Sequence, residues 1–75
     1  MSKKEIEIRG ILSNENEEFK RLEQKHHQYD DQLGNLSKLS YLTPEQEREE
    51  VEIKKLKLKV KDEMAIMVKQ YQKSL

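Results

Sequence analysis

The stretch Val51-Glu52-Ile53-Lys54-Lys55-Leu56-Lys57-Leu58-Lys59-Val60-Lys61-Asp62-Glu63-Met64 decides the fold. Lys55, Lys57, Lys59 and Lys61 alternate with Leu56, Leu58 and Val60, the period of a β-strand. The flanks argue otherwise. They are rich in Glu, Lys, Gln and Met, which are good helix formers, and no Gly, Asn or Pro stands close by to end a strand. At about 100° per residue the alternation resolves into two apolar stripes. Ile53, Leu56, Val60, Met64, Met67 and Tyr71 form a broad one, and Val51, Leu58 and Ala65 a thin one nearly opposite. A helix with two apolar faces calls for two neighbours.

Outward from this helix, the totals limit what the rest can be. Seventy-five residues make one domain at most, expected to span 1–75. A chain this short buries little core alone and leans on disulfides, metals or oligomerisation. It has no cysteine, which removes disulfides and thiolate metal sites and leaves oligomerisation. Charged residues make up 40% and aromatics 5%, a composition of either disorder or exposed coiled coil, and the regular apolar spacing favours the second. Fifteen basic and fifteen acidic side chains cancel, so the total charge gives no support to non-specific nucleic-acid or membrane binding. The segment Met1–Gly10 lacks the apolar run of a signal peptide, and no stretch has the roughly 18 consecutive apolar residues of a membrane span. A cytoplasmic protein without membrane attachment is expected.

Before the decisive stretch, Ile6, Ile8, Ile11 and Leu12 give a short helix over about 3–12, interrupted by Gly10. Ser13-Asn14-Glu15-Asn16 reads as a break or kink and a new helix start, because Ser and Asn side chains cap free backbone N–H groups; a continuous helix through this point is the alternative. The next helix covers about 16–39. Its residues Phe19, Leu22, His26, Tyr29, Leu33 and Leu36 step by threes and fours, a heptad seam. Leu12 and Ile8, extrapolated backwards, fall on the same face. Glu17 and Glu18 are both placed to pair with Arg21. Gly34 lies inside this helix, either as a close approach for another backbone or as a tolerated defect costing roughly 1 kcal/mol against Ala.

A turn is expected over 40–43. Thr43-Pro44-Glu45-Gln46 is the clearest local signal: Thr as N-cap, Pro at the first helical position, Gln completing a capping box. The last helix then runs from Pro44 to about Lys73, roughly 45 Å. Two long helices with a short connection lie antiparallel. Counted from a turn centred near 41–42, Tyr29 meets the region of Ile53, His26 that of Leu56, Leu22 that of Val60 and Phe19 that of Met64. Asp30 and Asp31 fall near Lys54 and Lys55. Met67 extends this intramolecular seam. Val51, Leu58 and Ala65 are left over for a second copy.

Two blocks of these residues resemble the YdcH-like family of small bacterial proteins, a domain family of unknown function. The first is Phe19-x-x-Leu22-x-x-Lys25-His26-x-x-Tyr29-Asp30-x-x-Leu33, and the second is Ile53-Lys54-Lys55-Leu56-Lys57-Leu58-Lys59-Val60-Lys61-Asp62-Glu63-Met64. Tyr29 departs from the family's usual Leu. Leu56 stands where a polar residue is common, and is expected to strengthen the inward stripe. The resemblance implies a helical hairpin and no assigned catalytic residue or ligand.

Little in the chain demands chemistry. His26 with Asp30, or His27 with Asp31, has the i,i+4 spacing of a metal pair, but two ligands fall short of a tetrahedral zinc site without a second chain. His26 reads instead as a half-buried seam residue. Lys54 to Lys61 holds five lysines in eight residues, spread around the helix and flanked by acids, which is the pattern of a solvated surface. Met64 and Met67 read as core filler. No nucleophile–base pair, Gly-rich phosphate loop or catalytic carboxylate pair is present.

The expectation is an all-α, coiled-coil-like antiparallel hairpin that dimerises into a four-helix arrangement. It is a non-enzymatic bacterial protein without cofactor or metal, acting as a self-associating structural or protein-interaction module. The alternative is a nucleic-acid-binding accessory protein using Lys54–Lys61.

Overall fold

The computed structural model describes residues 4–74. They form three helices, α1 (Glu5–Glu15), α2 (Glu17–Ser37) and α3 (Pro44–Ser74), and no strand occurs among the described residues. The lysine–leucine alternation is therefore helical. The expected start of the first helix at residue 3 lies outside the described residues. Its end differs from the expectation at about 12: α1 continues through Ser13, Asn14 and Glu15.

Asn16 explains how α1 gives way to α2. Its backbone is extended, with φ −113° and ψ 115°, so the helical path is broken at one residue. Its side-chain oxygen accepts the Phe19 amide at 2.9 Å, capping α2, while its own amide donates to Leu12 O at 2.9 Å. One asparagine thus closes one helix and opens the next. Glu18 pairs with Arg21 at 3.7 Å, but Glu17 reaches Lys20 at 3.4 Å rather than Arg21.

At α3 the capping box is complete. The Gln46 amide donates to the Thr43 hydroxyl at 3.2 Å, and the Thr43 amide donates to the Gln46 side-chain oxygen at 3.0 Å. Pro44, which has no amide proton, stands at the first helical position, where none is needed.

All three helices pack on one another, within extents of 49 × 21 × 17 Å. Their main core joins Ile8 and Leu12 of α1, Phe19 and Leu22 of α2, and Val60, Met64 and Val68 of α3. Tyr29, Met67 and Tyr71 pack against it half-buried. Ile8 and Leu12 do share a core with the α2 seam, but they reach it from a separate helix that also touches α3. Leu36 and Ile53 are buried outside that cluster, nearer the connection. A Cβ built on Gly34 would meet nothing within 4 Å, so this glycine serves no close backbone approach.

The register between α2 and α3 corrects the sequence-based pairing. Asp30 forms its ion pair with Lys57, not with Lys54 or Lys55. A turn centred near 41–42 puts Asp30 level with Ile53, so its partner Lys57 stands four residues, about one helical turn, further along α3. The connecting segment spans residues 38–43. Phe19 and Leu22 share their core with Val60, Met64 and Val68.

Candidate functional site

Most of the expected seam residues turn inward. Phe19, Leu22, Leu36, Ile53, Val60 and Met64 are buried, and His26, Tyr29, Leu33 and Met67 are half-buried. Leu56 is the correction. It is 41% exposed and stands outside the seam. In a strict heptad run from Ile53 the next inward position is 57, followed by 60, 64, 67 and 71. Position 57 is Lys, which the apolar-stripe reading passed over. Val68, buried at the end of the core, was also missed. The alternation of three- and four-residue steps back from Tyr71 is the signal that finds Lys57. Val68 shares the core with Phe19.

Lys57 makes the seam polar at one layer. Its ammonium meets Asp30 across the two helices, and Asp30 Oδ2 lies 3.6 Å from His26 Nδ1 one turn earlier on α2. The side chains of His26 and Lys57 are about two-thirds covered. The hydrogen bond from Lys57 holds the Asp30 carboxyl below its ordinary range. Partial desolvation opposes this, and the positive charge of Lys57, with lesser contributions from His26 and His27, adds to it. A polar residue at a single seam position costs stability and specifies register, because every slipped arrangement leaves its charge against apolar neighbours.

The opposite side of α3 carries the thin apolar stripe. Val51 is 52% exposed and Leu58 58%, and Ala65 is half-covered. Ile66, beside Ala65, is 54% exposed and extends the stripe. No helix of the described chain covers Val51, Leu58 or Ile66. A shallow groove of about 560 Å³ runs beside Val51, bordered by Pro44, Glu47, Arg48, Glu52 and Lys55. A second open groove, of about 690 Å³, lies between the exposed side of α2 and Met64, along Lys20, Glu23, His27 and Asp31.

The remaining sequence candidates resolve as follows. His26 and Asp30 are neighbours, but among the described residues no three His, Asp or Glu side chains gather to hold a metal. In the basic stretch, Lys54 pairs with Glu50 at 3.4 Å and Lys57 with Asp30, while Lys55, Lys59 and Lys61 remain exposed. Among the described residues no helix is long and apolar enough to cross a membrane.

Comparison with known proteins adds the family. The model of a family described as a protein of unknown function, DUF465, matches residues 19–67. That span holds nearly all of α2, the connection and most of α3, and leaves out α1. No curated protein and no solved structure is similar enough to the chain to be matched.

Proposed function

From the premise that the chain belongs to DUF465, the YdcH-like family of small helical proteins, we propose that it is a non-enzymatic helical hairpin that self-associates and serves as a structural or protein-interaction module. One observation carries this reading. The longest helix holds Ile53, Val60, Met64 and Val68 against the rest of its own chain and presents Val51, Leu58 and Ile66 uncovered on its other side. Scattered surface apolar residues need no explanation, but apolar residues repeating on one helical face at seven- and eight-residue intervals are the pattern of a helix that packs twice. The small core supports the same reading, since a 75-residue chain without cysteines gains most from burying a further surface.

The hairpin belongs to this proposal as its unit: α2 and α3 antiparallel, the register pinned by Asp30 and Lys57. The test is Leu58→Glu. In sedimentation equilibrium the variant is expected at half the mass of the native chain, with helical circular dichroism largely retained. An unchanged mass rejects the assigned face. The nucleic-acid alternative rests on the exposed Lys55, Lys59 and Lys61. It requires an affinity for RNA or DNA that falls steeply with salt, and a lack of binding at low salt removes it.

A further inference from the structure

We propose that the partner on the outer face of α3 is the same face of a second copy, running antiparallel, with the two-fold axis passing beside Leu58. This rests on the self-association proposed above and specifies its geometry. The argument comes from the order of side chains along the face. At about 100° per residue, Glu47, Val51, Lys55, Leu58, Asp62, Ala65, Ile66 and Lys69 fall on one side of α3. All but Ala65 are exposed, and Ala65 is half-covered.

That order reads differently in the two directions. In a parallel, in-register pair each residue meets its own copy, so Lys55 faces Lys55, Asp62 faces Asp62 and Lys69 faces Lys69. Every charged layer is then repulsive. In an antiparallel pair centred beside Leu58, Lys55 faces Asp62 twice, once on each side of the axis. Val51 faces Ile66 and Ala65, Leu58 lies against its own copy, and Glu47 comes level with Lys69. Arg48 falls near Lys69 in the same register, and Glu47 beside it offsets that contact. Apolar layers thus meet apolar layers and the central charges alternate in sign. A two-fold interface requires this self-complementarity, in which residue i meets j and j meets i. The contacting length from Glu47 to Lys69 is about 33 Å at 1.5 Å per residue.

The absence of native cysteine makes the geometry measurable with single thiols. Leu58→Cys is expected to cross-link to its own copy rapidly under mild oxidation or with a short bis-thiol reagent. Val51→Cys is expected not to, because antiparallel copies place the two positions about 22 Å apart along the axis. A mixture of Val51→Cys and Ile66→Cys chains is expected to give the mixed cross-link. Charge reversal gives an independent readout. Lys55→Glu weakens dimerisation on the order of tenfold at low salt, as does Asp62→Lys, and Lys55→Glu with Asp62→Lys restores it. A dimer in which Val51→Cys cross-links as fast as Leu58→Cys overturns the antiparallel geometry while leaving self-association standing. A native chain that sediments as a monomer at all concentrations overturns both. A dimer whose affinity ignores the charge reversals overturns the assigned face.

Discussion

Position 57 shows what a single side chain does inside a helical seam. Lysine has an apolar stem and a charged tip, so it can pack its methylenes between two helices and hold its ammonium at the edge. Here the tip finds Asp30, whose carboxyl is thereby held below its ordinary value near 3.8. A carboxylate whose folded pKa is depressed contributes stability that is fully present above the unfolded value and is lost as pH falls through the folded one. Urea unfolding is therefore expected to show Asp30→Asn less stable than the native chain at pH 7, with the difference closing as the pH falls below the ordinary value of 3.8. Leu56, one residue away, behaves oppositely. At 41% exposed, Leu56→Gln is expected to move stability by no more than about 0.5 kcal/mol, whereas Leu22→Ala in the core costs about 2–5 kcal/mol. Denaturant midpoints of the two variants separate the inward position from the outward one. The sequence left this pair ambiguous for a physical reason. Residues 56 and 57 point about 100° apart on a broad stripe, and hydrophobicity alone favours the leucine. The heptad steps back from Tyr71 decide for the lysine, and its contact with Asp30 of α2 agrees with them.

At the scale of the element, the helix boundaries were the most legible feature, because caps are local chemistry. Thr43, Pro44 and Gln46 lie within four residues, and their two reciprocal hydrogen bonds need no distant partner. Asn16 likewise acts on Phe19 three residues away. Thr43→Ala is expected to cost about 1 kcal/mol by removing the acceptor for the Gln46 amide. The extent of α1 was less legible: Ser13, Asn14 and Glu15 resemble a cap in sequence, yet they are helical, and the break waits for Asn16. Gly34 yields the reverse prediction to Thr43. A methyl group there meets open space and the residue is helical with no positive φ, so Gly34→Ala is expected to stabilise the chain by about 0.5–1 kcal/mol. A fall in stability would mean that another chain approaches the glycine in solution. Thermal melting of the pair Thr43→Ala and Gly34→Ala should therefore shift in opposite directions.

For the whole molecule, the question is how so charged a chain holds together at all. The polar layer of His26, Asp30 and Lys57 lies between the buried pair Leu36 and Ile53 and the larger core at the far end. That larger core depends on α1, because Ile8 is as fully buried as Phe19, with Leu12 beside them. The apolar spacing of Ile8 and Leu12 and the break expected over 13–16 make a separate short helix legible in the sequence; its packing against α3 as well as α2 is not, because that depends on where the chain turns at Asn16. The family match begins at residue 19, so α1 is an addition to the matched span that completes its core. Ile8→Ala should accordingly cost about 2–5 kcal/mol. Small domains are stable by only about 5–15 kcal/mol, so one side chain outside the matched span carries a large share. Ile6, on the same helix but 76% exposed, is the control, and Ile6→Ala is expected to change stability by less than about 0.5 kcal/mol. If self-association contributes as proposed, the melting temperature of native chain and Ile8→Ala alike rises with protein concentration, because only the folded form binds a second copy. Leu58→Glu is expected to abolish that rise while leaving the gap between Ile8 and Ala in place, since the outer face of α3 and the α1 contact are separate surfaces. Melting curves of the native chain, the two single variants and the double variant at two concentrations would show whether the two contributions add.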